Sequence, residues 1–320
     1  MPVSASEKEA RRARRRAFVP HPAPVLFVGG TGRSGTHIAA RLINRSEHYA
    51  MIPIECRFHV DEDGFPGLLR GDVSKEHFLR RLRGYWWRGF QTNRLRGLHR
   101  FVPRDRFDAA VASFEAEFDR DPDAACRTLF LDLLQPAADA EGAGGIVEQS
   151  CDVIAQAPTL LRLFPESRFV HIVRDGRDAS ASRVAQTKGV VYPRTRMQGL
   201  EWWERRIRRI DDGRRAIPED RFHELELGSL LTRGRRPVLR ELAYFLGIRP
   251  GNRMKRFMRR RMNADAAHQA RWRRGVSDAD QANIDRLYRE ILDGLERDSV
   301  SSAPLLRRAY EREAGDAPAA

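Results

Sequence analysis

Val25-Leu26-Phe27-Val28-Gly29-Gly30-Thr31-Gly32-Arg33-Ser34-Gly35-Thr36-His37 is the stretch from which the fold can be read. Its first four residues are continuously apolar, the pattern of a strand buried on both faces. Glycines follow, and a helix is predicted to start around Thr36, with Ile38, Leu42 and Ile43 at helical spacing. A strand, a Gly-rich turn and a helix in that order make an anion cradle. Glycine lets backbone N–H groups converge, and the helix N-terminus adds positive potential. Gly30 and Gly35 have the spacing of the Walker A pattern G-x-x-x-x-G-K-[ST]. Thr36, however, stands where that pattern has lysine, and His37 where it has the hydroxyl that holds Mg²⁺. A cation inside the loop, Arg33, is present instead.

Outward from this stretch, strands and helices alternate. Met51-Ile52-Pro53-Ile54, residues 145–148, 168–173 and 222–226 read as further strands, and residues 176–187, 196–213, 236–246 and 277–293 as helices. Such alternation predicts an α/β fold, a P-loop-like parallel sheet flanked by helices. Residues 60–140 read as a helical insertion after the second strand, punctuated by Pro103 and Pro122. One domain is expected over residues 20–300. Residues 1–19, with six positive and two negative charges, read as a basic flexible arm, and residues 301–320 as a loose C-terminal tail.

Arg174-Asp175-Gly176-Arg177-Asp178-Ala179-Ser180-Ala181-Ser182 follows the strand ending at Val173. Ligands of parallel sheets bind at the carboxyl ends of the strands, so this segment and the Gly-rich loop fall on one edge. Arg174 before the helix and Ser182 two turns along it can hold a phosphate.

Together, GTGRSGT over 30–36 and RDGRDASAS over 174–182 resemble sulfotransferases that use 3′-phosphoadenosine 5′-phosphosulfate (PAPS). The nearer resemblance is to the branch that includes tyrosylprotein sulfotransferases and many bacterial members. The resemblance implies sulfuryl transfer from PAPS to a hydroxyl without a metal. It implies a 5′-phosphosulfate cradle of Gly32, Arg33, Ser34, Gly35, Thr36 and His37, with Arg33 offsetting leaving-group charge. It assigns Arg174 and Ser182 to the 3′-phosphate. Arg271-Trp272-Arg273-Arg274-Gly275 resembles the late basic loop over that phosphate, with Arg271 and Arg273 as candidates. The pattern departs at His37, where a second Thr is common, and at Gln149, where many relatives carry lysine.

An acceptor hydroxyl must lose its proton as it attacks, so a base is expected near the cradle. Glu55 and Arg57 match the Glu-x-Arg of the tyrosylprotein branch, which implies Glu55 as base. Other sulfotransferases use histidine, which makes His59 the alternative, and Arg57 and His59 are the candidate acceptor contacts. His171 reads as a buried strand residue. The insertion, with Tyr85, Trp86, Trp87 and Phe90, is expected on the acceptor side, and Trp202 and Trp203 either pack their helix or line the cleft.

The 58 Lys+Arg against 44 Asp+Glu give +14, and only four of the basic residues are lysine. That charge keeps open a nucleic-acid binder acting through the arm and the basic residues of 251–275. A P-loop kinase or hydrolase is the other alternative, although it needs lysine after Gly35. Three scattered cysteines exclude a disulfide scaffold or zinc site. No apolar run approaches the ~20 residues of a membrane span, and the N-terminus lacks an apolar signal core. The expectation is a cytoplasmic enzyme using PAPS, with a carbohydrate or small-molecule acceptor that can be anionic. No specific nucleic acid is expected, and the arm is expected to contact anionic membrane weakly.

Overall fold

The computed structural model describes residues 23–89, 97–188, 190–231, 235–262 and 269–315. The basic arm, Phe90 and residues 316–320 lie outside the described residues. In chain order the elements are β1 (Val25–Gly29), α1 (Thr36–Ile43), β2 (Tyr49–Met51), α2 (Phe65–Arg70), α3 (Lys75–Arg81), α4 (Arg104–Glu117), α5 (Pro122–Glu141) and β3 (Gly145–Glu148). There follow α6 (Ala157–Leu163), β4 (Arg168–Val173), α7 (Gly176–Thr187), α8 (Arg196–Arg214), β5 (Phe222–Glu226), α9 (Leu227–Leu231), α10 (Arg235–Leu246), α11 (Asn252–Arg261), α12 (Asp278–Arg297) and α13 (Ala303–Gly315).

The five strands form one parallel sheet in the order β2-β3-β1-β4-β5. β1 is central and buried along its whole length. Its alternate residues feed two cores, as the period of a strand requires. Val25 and Phe27 pack with the insertion, whose Phe58, Phe65, Phe78, Phe107, Phe114 and Phe130 fill one face. Leu26 and Val28 pack with Leu42 and Ile43 of α1, Leu242 of α10 and Met258 of α11 on the other. From β1 the chain moves to the β2 edge, returns to β3, then crosses β1 to reach β4. The loop after β1 therefore lies between those after β3 and β4, at the strand-order reversal where ligands of such sheets bind.

Two expectations are corrected. The second strand is Tyr49–Met51; Ile52 makes a last ladder bond to the Val147 carbonyl at 2.9 Å, and the chain leaves the sheet at Pro53, which has no N–H to donate. The tail is not loose over residues 303–315. It forms α13, which buries Ala303 and Leu306 and ties Arg312 to Glu226 at the end of β5. Its apolar Leu306 and Tyr310 recur four residues apart, a helical period that the terminal GDAPAA obscures.

Candidate active site

The cradle is held from both sides. Gly30 donates its N–H to the Cys151 carbonyl at 3.0 Å, which ties the loop to the segment after β3. A Cβ at Gly30 would collide with Ser34 Oγ and the Ile172 carbonyl, so only glycine fits. Gly32, Arg33 and Gly35 have φ of 82°, 59° and 98°. Arg33 thus holds a left-handed backbone that non-glycine residues seldom adopt. Gly35 is the N-cap of α1 and supplies no side-chain cap, so the first-turn N–H groups remain oriented for an anion.

The second motif is docked onto this loop. Arg33 donates Nε–H to Ser182 Oγ at 3.0 Å, and Arg174 donates Nη1–H to the Arg33 carbonyl at 2.9 Å. Asp175 caps α7 by accepting the Arg177 backbone N–H at 2.8 Å, which fixes where the helix starts and hence where Ser182 stands. Burial pulls the Arg174 pKa below its ordinary value; Asp178 and Asp175 oppose this, while Arg33 and Arg271 add to it. Arg33, Arg174 and Arg271 thus share one field.

Trp272 sets the position of Arg271. Its ring is buried, its backbone N–H donates to Asp178 Oδ1 at 3.1 Å, and its carbonyl accepts from Arg196. Arg177 stacks on that ring at 4.7 Å. Arg273 lies over Trp272 at 4.3 Å and lines a cavity with Asp278, Gln281 and Tyr310. Arg271, Trp272 and Arg273 form one short 3-10 turn, of which Trp272 is the buried residue.

On the opposite side of the loop, Glu55 Oε1 accepts from Cys151 Sγ at 3.7 Å, and Glu55 Oε2 lies 3.6 Å from Arg57 Nη1. Burial raises the Glu55 pKa; Arg57 and the Cys151 thiol restrain the rise, and Glu148 and Asp152 add to it. A Cβ on Gly32 would lie 3.8 Å from Cys151 Sγ, so the thiol stands between cradle and carboxylate. Arg57 is itself held, at 2.6 Å from Asp61 and 3.2 Å from Asp152, and Asp152 also binds Arg206 at 2.5 Å.

His59 is corrected as a base or acceptor contact. It is wholly buried, with Nε2 3.0 Å from Glu148 Oε2 at the end of β3 and its ring against Phe58 and Phe130. The turn after Glu55 carries it into the core, where no acceptor reaches. His171 is buried as expected and paired with Glu224 at 2.9 Å. The two departures from the family pattern meet: His37 hydrogen-bonds Gln149, while burial and Arg41 hold the His37 pKa below its ordinary value.

Three residues that the sequence reading left out or left open border the cradle. Trp202 on α8 lies against Gly32, and Arg183 and Arg206 sit over its ring at 5.6 and 5.7 Å. The available signal was the i, i+4 spacing of Trp202 and Arg206, which puts both on one face of α8. Trp203 packs in the core against Tyr288. Trp86 and Trp87 are also buried; Trp86 donates to Asp61 at 3.0 Å, and Trp87 packs on Phe107 at 4.2 Å. Among the described residues there is no group of three His, Cys, Asp or Glu placed to hold a metal, and no helix long and apolar enough to cross a membrane.

The family model described as "Sulfotransferase family" matches residues 24–250. No curated protein matches the chain. Among solved structures, the sulfotransferase domain of the olefin synthase from Synechococcus PCC 7002 is similar at 17% identity and a TM-score of 0.45, over 82% of this chain and 92% of that one. Sulfotransferase STF9 from Mycobacterium avium is similar at 16% identity and a TM-score of 0.44, over 89% of this chain and 82% of that one.

Proposed function

Because this chain belongs to the sulfotransferase family, we propose that it moves a sulfuryl group from PAPS to an acceptor hydroxyl by in-line displacement. The observation that carries this reading is the docking of the two motifs, Arg33 on Ser182 and Arg174 on the Arg33 carbonyl, over a helix N-terminus with no side-chain cap. Backbone N–H groups of Gly32, Arg33, Ser34, Gly35, Thr36 and His37 suit the phosphosulfate. Arg174, Ser182 and Arg271 suit the 3′-phosphate, since guanidinium groups bind phosphate oxygens in pairs.

In this reading the acceptor oxygen attacks sulfur as the bond to the bridging oxygen breaks. Arg33 faces the negative charge that develops on the leaving phosphate. Glu55, its proton affinity raised by burial, takes the acceptor proton, while Arg57, fixed by Asp61 and Asp152, orients that carboxylate. Sulfuryl is less charged than the γ-phosphoryl of ATP, so arginine and backbone dipoles are enough and no metal is needed. α8 and the 60–140 insertion wall the acceptor side. Trp202 offers a face to a ring, and Arg183 and Arg206 suit an acceptor with negative charge. A carbohydrate or small-molecule hydroxyl in the cytoplasm is the acceptor this reading favours.

Thermal shift with the product 3′-phosphoadenosine 5′-phosphate (PAP) tests it. PAP at about 100 times its Kd adds about 2.7 kcal/mol of stability, and MgATP adds much less. Greater stabilisation by MgATP than by PAP overturns the reading in favour of a kinase.

A further inference from the structure

A second cluster of arginines stands apart from the donor cleft. α1 begins at the cradle and, at 1.5 Å per residue, carries its other end about 12 Å away. Arg41 and Arg45 at that end lie over the Phe257 ring of α11, at 5.7 and 5.4 Å. Arg45, Arg253, Arg256, Arg260 and Arg261 line a cavity of about 280 Å³ with Phe257 beside them. α11 carries six basic residues and no acidic one.

The arginines of this cavity differ from most of those elsewhere on the surface. Arg104, Arg120, Arg162 and Arg307 each pair with a neighbouring carboxylate. None of the five arginines of the cavity has a carboxylate within ion-pair distance among the described residues. Like charges gathered without counter-ions repel, and a bound anion relieves that repulsion.

We propose that this cleft binds a soluble, compact molecule carrying two or more phosphate or sulfate groups. Each guanidinium fork gives two parallel hydrogen bonds to an oxyanion, and the five positive charges around this cavity exceed the charge of one phosphate or sulfate group. The ring of Phe257 orients Arg41 and Arg45 from beneath by cation–π contact. A membrane surface fits less well, because Met254, Phe257 and Met258 of α11 are turned inward and buried, leaving no apolar side chain to enter lipid. A nucleic-acid backbone would follow a long stripe of charge, whereas these cations surround a single concavity.

Calorimetric titration of the full chain with inorganic triphosphate, with PAP saturating, is the test. Saturable binding of one equivalent is expected. Arg256→Glu/Arg260→Glu weakens it tenfold or more, the effect of losing about 1.4 kcal/mol of charge-assisted hydrogen bonding, and leaves PAP affinity and turnover unchanged. The milder Arg256→Gln/Arg260→Gln variant must show the same direction with an unaltered melting temperature, since both side chains are exposed. The proposal is overturned if triphosphate binds only when PAP is absent, or if both double variants bind it normally. It is also overturned if only long DNA or phosphatidylserine vesicles bind, without a saturable triphosphate site.

Discussion

The two sides of the cradle hold their arginines differently. On the α7 side of the loop Arg33 donates to a hydroxyl, Ser182 Oγ, and Arg174 donates to the Arg33 carbonyl. These two partners carry no charge, although Asp178 and Asp175 act on Arg174 from nearby. On the Glu55 side Arg57 and Arg206 are held by Asp61 and Asp152, so their charge is offset and they serve as struts around Glu55. In the proposed reaction the first pair of arginines faces the anionic donor, and the second pair is scaffold.

The largest expected effect tests the acceptor side. Glu55→Gln keeps the shape and removes the base, so turnover should fall about 10²- to 10⁴-fold, while PAP affinity by calorimetry stays unchanged. Near-normal turnover removes Glu55 from the mechanism. Next, Arg33→Ala should lower kcat about 10²- to 10³-fold, the range for one stabilising donor aimed at developing charge. Arg174→Ala should instead weaken PAP binding about tenfold or more with a smaller change in kcat at saturation. If both substitutions change kcat and affinity alike, the division of roles between Arg33 and Arg174 fails.

Asp152→Ala should take the carboxylate from Arg206 and leave Arg57 with Asp61 and Glu55, destabilising the fold by about 1–2 kcal/mol by denaturant melting; a change below about 0.5 kcal/mol would mean that the struts are ornamental. The smallest effect concerns pH. A base works deprotonated, so turnover should fall as pH drops through the raised pKa of Glu55, above the usual carboxylate range. Arg57 holds that pKa down, so Arg57→Gln should move the acid limb of the pH–rate profile upward by about one unit. A limb that stays in place uncouples the pair.

Much of the donor side is legible in the chain because its chemistry is local. Gly30, Gly32, Arg33 and Gly35 shape one turn between a strand and a helix, and Arg174 and Ser182 lie eight residues apart across another. Arg271 and Arg273 were equivalent in sequence; in the fold Arg271 acts on Arg174, and Arg273 lies over Trp272. His59 carries the right functional group two residues past Arg57, yet the backbone turns it into the core against Glu148. The acceptor side was mostly hidden. Asp61, Asp152 and Arg206 come from three distant segments, and no local spacing foretells that they meet.

By itself the sequence determined the parallel α/β sheet, the place of the Gly-rich loop and the position of the Arg174–Ser182 motif at the end of β4. Short-range backbone and capping preferences set all of these, and they act within a turn or two of chain. Only the tertiary structure decided which arginines pair with carboxylates such as Asp61 and Asp152, which histidine is lost to the core, and that residues 303–315 close over β5 as a helix. Those outcomes depend on burial and on partners brought together from far along the chain, and charge and pKa answer to these partners more than to neighbours in sequence.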